Sequence, residues 1–316
     1  MVKVTTKVIT LKKQRIKLIK IKVEENQMLE WLLEPLRYEF MVNAILVGVV
    51  LGVLCAVVGS YMIVQQLGMM AHAISHSLIA GLPIAFVLGY SLSSGAIVAG
   101  IVSAIFMAWI ESRCKIKLDT ALAIMLSSFL ALGVVLVSVL PGANRIDLVH
   151  VLFGDILGVN QSDLWNTLIT ALVILAAVVL FYKELLFYTF DPLGAQAAGM
   201  PVQIYYIGMI SAITITIVAS LETVGSLLVI AMLVGPASTA YLLVKELNIM
   251  MILGSFFGVA SSVIGMYLSY YFDTPSGASI VLVMCVFFML AFLFSPSQGI
   301  LTEPHTPLGK LLKTGK

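Results

Sequence analysis

Two histidines lie four residues apart inside a long apolar stretch of the sequence. Residues 66–83 read QLGMMAHAISHSLIAGLP, which places the histidines at His72 and His76. A helix carries residues i and i+4 on one face, so both imidazoles are predicted to point in the same direction. Paired imidazoles on one face are typical of a metal-ligand pair. In the alternative interpretation, each histidine donates a hydrogen bond to a neighbouring helix and helps to hold the two helices together.

Sulfur atoms are further candidate ligands. Met69 and Met70 precede the first histidine, and a thioether is a soft metal ligand. We interpret the remaining methionines as core filling, because their flexible side chains fill irregular gaps. Cys55, Cys114 and Cys285 are far apart and lack metal-binding spacing, so we interpret all three as small buried thiols.

The composition predicts that membrane-spanning helices position these residues. Of 316 residues, 60% are hydrophobic and 11% are charged, and the mean hydropathy is +1.08. Soluble domains carry roughly 25% charged residues. Repeated apolar runs of about 20 residues are typical of helical spans. We therefore predict an all-α integral membrane protein, a polytopic bundle of about eight or nine transmembrane helices with no room for a soluble catalytic domain.

Nine apolar segments are candidate spans. They are residues 40–64, 67–89, 92–110, 120–140, 164–182, 203–221, 223–243, 249–271 and 278–295. The sixth and seventh follow each other so closely that one of them is a candidate half-helix. Gly225, Gly235 and Pro236 are the positions where such a break would be tolerated, provided that the freed backbone is buried in protein or lines a cavity.

The ends of the chain differ from the apolar middle. Residues 1–27 alternate basic and apolar side chains, and Met28 would be a plausible start. We interpret residues 1–27 as a basic N-terminal tail that is either disordered or not native to the mature protein. Residues 28–300 are predicted to form a single transmembrane domain, and residues 301–316 a cytoplasmic C-terminal tail.

Basic residues on short loops predict the orientation, because such loops face the cytoplasm. Four basic sites fall on one side: the loop 111–119, Lys183, Lys245, and the C-terminal Lys310, Lys313 and Lys316. The loop 141–163 is then external. Counting back places Gln65 and Gln66 on the cytoplasmic side and the basic tail outside, against the rule. Either the tail is not native or one early segment does not fully cross.

The sequence contains no GxxxxGK[ST] motif, so this chain does not hydrolyse ATP through a phosphate-binding loop. If transport is driven by ATP, the ATPase is another polypeptide. Two stretches predicted to face the cytoplasm are candidates for receiving it, Asp191–Gly199 (DPLGAQAAG) and Ala237–Met250 (ASTAYLLVKELNIM). From spacing alone, ordinary interfacial turns are the favoured interpretation of both stretches.

Several segments together carry a family resemblance between about residues 38 and 297. They are YEFMVNAILVGVVLGVLCAVVGSYMIVQQLGMM, AISHSLIAGLPIAFVLG, LDTALAIMLSSFLALGVVL, LVHVLFGDILGV, FDPLGAQAAGM, ETVGSLLVIAMLVGPASTAYLL and DTPSGASIVLV. In this order they resemble the membrane permease subunit of the bacterial manganese/zinc ABC importers. The resemblance implies a type II ABC importer-like fold in the bacterial inner membrane and a transporter subunit rather than an enzyme.

The resemblance also implies roles for the two histidines. In that family, the stretch that matches residues 70–76 usually reads Met-Gly-Asp-Ala-Ile-Ser-His, and its Asp and His are implicated in holding the metal. His76 matches the family histidine, and His72 stands where the Asp usually is. We therefore expect His72 and His76 to be the metal ligands. Two neutral imidazoles without a carboxylate make a softer site than an Asp and a His, which leaves the choice between manganese and zinc open.

The expected function is ATP-driven import of a divalent metal ion, with manganese first and zinc or iron as alternatives. The resemblance implies a second copy of the chain, a cytoplasmic ATPase dimer, an extracytoplasmic metal-binding protein and no permanently bound cofactor. It ranks Ala237–Met250 ahead of Asp191–Gly199 as the ATPase contact, since GPASTAYLL is similar to the main coupling helix. The alternative function is a secondary transporter in which the histidines relay protons without an ATPase.

Overall fold

The computed structural model describes residues 33–113, 118–142, 154 and 156–295. Eleven α-helices and two short 3-10 turns, Pro35–Arg37 and Ile156–Gly158, lie within these residues, and they include no β-strand. In chain order the helices are α1 (Glu39–Val64), α2 (Gly68–Leu88), α3 (Leu92–Arg113), α4 (Leu118–Val139), α5 (Gln161–Leu180), α6 (Tyr182–Phe190), α7 (Pro192–Ala197), α8 (Val202–Val224), α9 (Ser226–Leu243), α10 (Leu247–Phe272) and α11 (Ser276–Phe294).

The predicted all-α membrane fold is confirmed. Within the described ranges, eight helices are long and apolar enough to cross a membrane. The remaining predicted segment, 92–110, is the third in chain order and corresponds to α3, in which the shorter stretch Ser94–Ser103 is apolar. The predicted tails, residues 1–27 and 301–316, lie outside the described residues, so both interpretations stay predictions.

The chain divides into two units. The first comprises residues 1–42, of which the structure describes the turn Pro35–Arg37 and the beginning of α1. The second comprises residues 43–316 and contains the helices that carry the candidate site.

The close junction between the sixth and seventh segments is a single glycine. Gly225 ends α8 and precedes α9, with φ 75° and ψ 159°, a conformation that other residues rarely adopt. The two helices have 23 and 18 residues, and both are candidate spans, so neither is a half-helix. Gly235 and Pro236 lie inside α9, which continues to Leu243. Of the three proposed break positions, only Gly225 lies between two helices.

Packing in the second unit brings α2 between other helices. It packs extensively against α3 and α4, and it also contacts α8 and α9, while α9, α10 and α11 pack on one another. Glycines permit some of these close approaches, because small residues let helix backbones touch. A Cβ atom at Gly81 of α2 would lie 2.3 Å from the carbonyl oxygen of Gly95 in α3.

Gly59 is expected to be a critical packing position between α1 and α9. A Cβ atom there would lie 1.9 Å from the backbone oxygen of Leu233, which cannot rotate away. Gly59→Ala should therefore destabilise the folded protein by about 1–3 kcal/mol or more, measured by thermal unfolding in detergent. Gly208→Ala is the matched control, because nothing lies within 4 Å of its Cβ position. Equal unfolding temperatures for the two variants would contradict this prediction.

Candidate metal site

The two histidines lie on α2, four residues apart, as predicted. A tight turn precedes this helix, and in it Gln66 adopts a left-handed conformation with φ 60°. Four residues of α-helix correspond to about 6 Å along the axis, so the two imidazoles occupy successive turns of one face. The sequence pattern was therefore sufficient to predict their relative placement.

Helix α2 is well suited to hold a polar site rigidly. In an apolar stretch of 18 residues within α2, 67% is buried, the highest share among the eight candidate spans. Ser77 is fully buried, and its hydroxyl lies 2.6 Å from the carbonyl oxygen of Ile74 and 2.7 Å from the hydroxyl of Ser103 in α3. His72 and His76 are half-buried. Polar contacts thus anchor the helix one position beyond the histidine pair.

The environment of His76 bears on the choice between ligand and interhelical hydrogen bond. Its Nδ1 atom is buried and has no hydrogen-bond partner, and the same is true of the hydroxyl of neighbouring Ser75. Leaving a buried polar atom unpaired costs about 1–3 kcal/mol. A donated interhelical bond would have removed that cost at Nδ1. The unpartnered nitrogen therefore favours a ligand role for His76, since a cation can use its lone pair.

His72 lines a cavity of about 390 Å³ beside α9 and α11. Most of the lining is apolar, but it includes Ser238, Met284 and Cys285. His76 is not part of this lining and lies one turn further along α2. His72 therefore lines one space together with residues that are far away in the sequence.

The sulfur-containing residues differ from expectation. Cys55 is buried as predicted, whereas Cys285 is exposed, so the interpretation as a buried thiol is wrong for Cys285. The reason is that Cys285 lies on the face of α11 that borders the cavity. Cys114 lies outside the described residues. Of the two methionines next to the pair, Met70 is fully buried and Met69 is exposed on the surface.

One copy of the chain supplies an incomplete ligand set. Within the described parts of the chain, no group of three or more His, Cys, Asp or Glu side chains is placed to hold a metal ion. His72 and His76 provide two nitrogen donors, whereas zinc takes about four ligands and harder divalent ions take about six. A metal ion held by this pair would need further donors from elsewhere.

The first candidate partner contact, Ala237–Met250, is largely helical and packed. Helix α9 ends at Leu243 and α10 begins at Leu247, which leaves a connection of residues 244–246. Ala237, Ala240, Leu247 and Met250 are all buried. Only part of this stretch, including Lys245 and Glu246, is exposed to a partner.

The second candidate, Asp191–Gly199, contains the short helix α7. The Asp191 carboxylate accepts a hydrogen bond of 2.8 Å from the N–H of Gly194, which caps the helix. Ala195 is fully buried, whereas Leu193 is 80% exposed. A second hydrogen bond, 3.0 Å from the Gln65 amide to the Thr189 hydroxyl, joins the turn before α2 to the end of α6. Gln65 and Asp191–Gly199 therefore lie at the same end of the helices, as loop counting predicted.

The comparisons with known proteins assign the family. The family model described as the ABC 3 transport family matches residues 37–295, most of the chain. The chain belongs to the ABC 3 transport family. This confirms the resemblance read from the sequence segments.

Several known proteins and one solved structure are similar to most of this chain. The chain is 41% identical to the manganese transport system membrane protein MntC of Halalkalibacterium halodurans over 85% of this chain and 91% of that protein. It is 37% identical to a probable iron transport system membrane protein of Haemophilus influenzae, over 87% and 97% respectively. The structure of PsaBC from Streptococcus pneumoniae in complex with Fab matches with a TM-score of 0.76 and 36% identity, covering 92% of this chain and 100% of the matched chain.

These matches confirm three predictions about the ABC 3 permease. It is a multi-pass protein of the inner membrane, it has the helical fold of an ABC permease, and it is a transporter subunit rather than an enzyme. The roles of His72 and His76 are not tested by the matches and stay predictions.

Proposed function

We propose that this chain is the permease of an ATP-driven importer of a divalent metal ion, with manganese as the first candidate. The names of the similar manganese transport proteins support the substrate class, and the iron-named relative keeps iron as an alternative. The observation that carries the site is the buried, unpartnered Nδ1 of His76, on the helix face that also bears His72.

Intramembrane ligands are a physical requirement of this function. A divalent ion without donors is prohibitively costly in a low-dielectric interior. His72 and His76 replace part of its water shell while the other positions stay with water or with groups of a second copy. Because one copy contributes two neutral donors, the ion is held weakly enough to be released. We therefore propose a transit site on a pathway between or near two copies of the chain.

An extracytoplasmic binding protein would deliver the ion, and the ATPase would drive alternating access. We propose that α7 within Asp191–Gly199 is the main ATPase contact, because its Leu193 projects from a capped and anchored short helix. The stretch Ala237–Met250 then contributes mainly through exposed Lys245 and Glu246. This reverses the order that the family resemblance indicated.

Dependence on the ATPase tests the function. The permease is reconstituted in liposomes with or without the ATPase subunit and the binding protein, and manganese, zinc and iron transport are measured. We expect transport only with the ATPase and ATP. Transport by the permease alone, driven by a pH gradient, would instead support the secondary transporter with a histidine proton relay.

His72→Asp should change the metal preference. A carboxylate is a harder ligand than imidazole and compensates more of the charge of the ion, so manganese gains relative to zinc. We expect the ratio of manganese to zinc accumulation to rise by about tenfold, a difference of about 1.4 kcal/mol. The measurement is elemental analysis of cells grown with both metals. His72→Asn is the control, because it changes the shape similarly without adding charge, and an equal shift in both variants would contradict the explanation.

A further inference from the structure

Apart from His72, the residues that line the cavity come from two helices, α9 and α11. From α11 it takes Val281, Met284, Cys285 and Phe288, which recur at the spacing of one helix face. From α9 it takes Gly235 and Ser238 among others, again at one face. The cavity therefore belongs to the packing of α2, α9 and α11 and does not depend on a loop.

Two sulfur atoms lie in this wall. Met284 is buried, and its Sδ packs so closely on Gly235 that a Cβ atom there would lie 2.1 Å from the sulfur. Gly235 thus makes the room in which the thioether sits. Cys285, the next residue, is a free and exposed thiol. The His72 imidazole completes a set of nitrogen and sulfur donors around one space of about 390 Å³.

Such a donor set has a defined chemical preference. Thiolate, thioether and imidazole are favoured by soft or borderline ions such as Zn²⁺ and Cd²⁺, whereas Mn²⁺ favours oxygen donors. We propose that this cavity is a binding site for a soft divalent cation, held by the His72 imidazole and the Cys285 thiolate with the Met284 sulfur beside them.

This site shares His72 with the transit pair but does not use His76, which is not part of the cavity lining. The proposal rests on the proposed function in one respect, namely that His72 is a metal ligand. Coordination releases the proton of the Cys285 thiol to water and leaves a negatively charged thiolate. The bound ion is therefore held more firmly than by two neutral imidazoles. A soft ion is therefore retained at this point, while a harder ion passes. The cavity would make the permease sensitive to inhibition by zinc-class metals.

Protection of Cys285 from alkylation tests the site without transport. The purified permease–ATPase complex, carrying Cys114→Ser in the permease, reacts with N-ethylmaleimide, and the modification of each permease cysteine is followed by mass spectrometry. We expect Cd²⁺ to slow alkylation of Cys285 by about tenfold or more and Mn²⁺ to slow it far less. Cys55, which is 0% exposed, is the internal control for an intact fold and should stay unmodified.

The same assay on His72→Ala separates a two-ligand site from a lone thiol. Loss of Cd²⁺ protection in this variant, with Cys55 still unmodified, supports the proposal. Unchanged alkylation of Cys285 in the presence of Cd²⁺, or equal protection with and without His72, overturns it. In a parallel uptake assay, Cys285→Ser should raise the Cd²⁺ concentration that halves manganese uptake by about tenfold.

The two proposals can fail separately. Protection of Cys285 combined with normal manganese uptake by His76→Ala would remove the transit site and leave the cavity site in place. Loss of uptake in His76→Ala without any protection of Cys285 would do the reverse.

Discussion

His76→Ala should reduce manganese accumulation by roughly 10–100-fold or more, because even the partners that only orient metal ligands contribute that much to metal affinity. The buried Nδ1 atom of His76 has no hydrogen-bond partner, so its removal breaks no hydrogen bond at that atom. The loss should therefore be in transport and not in folding. The measurement is uptake in cells that lack the native permease, together with the amount of variant protein in the membrane and its copurification with the ATPase.

His72→Ala should behave in the same way if the pair acts as one site. His305→Ala is the matched control, because it removes an imidazole from the predicted C-terminal tail and should leave uptake unchanged. Normal uptake in a variant that lacks both His72 and His76 would exclude the assigned site. Loss of the protein from the membrane would instead indicate that the histidines hold helices together.

Leu193→Asp should uncouple the permease from its ATPase. The side chain is 80% exposed on α7, and a buried apolar anchor at the centre of an interface contributes about 2 kcal/mol or more to binding, or roughly 30-fold in affinity. A carboxylate would have to be desolvated in its place. We expect the variant to accumulate normally in the membrane, to lose the copurifying ATPase and to lose uptake.

The fold of α7 should survive this substitution, because the Asp191 cap and buried Ala195 are unchanged. Tyr90→Asp provides the control. Tyr90 is 69% exposed in the connection between α2 and α3, at the end predicted to be external, and this change should leave ATPase binding intact. Retention of the ATPase by Leu193→Asp, together with its loss in a Glu246→Lys variant, would return the main contact to Ala237–Met250.

The all-helical membrane fold could be predicted because it follows from composition and from the length of apolar runs. The placement of His72 and His76 on one face could also be predicted, since helical periodicity fixes neighbours four residues apart. The break at Gly225 was only one of three candidates. Only the structure decided between them. Gly235 and Pro236 lie inside α9, where the surrounding helices support the backbone, so neither position ends the helix.

Local pattern alone determined which residues share a helix face, whereas only the tertiary structure decided which faces meet. Cys285 has no sequence neighbour that indicates metal binding, and it borders the cavity of His72 because α11 packs with α9 beside α2. The exposure of Leu193 could not be predicted from the sequence either, since DPLGAQAAG has the composition of an ordinary turn. Periodicity is a property of a few consecutive residues, but cavities and exposed contacts depend on how distant helices fill space against one another.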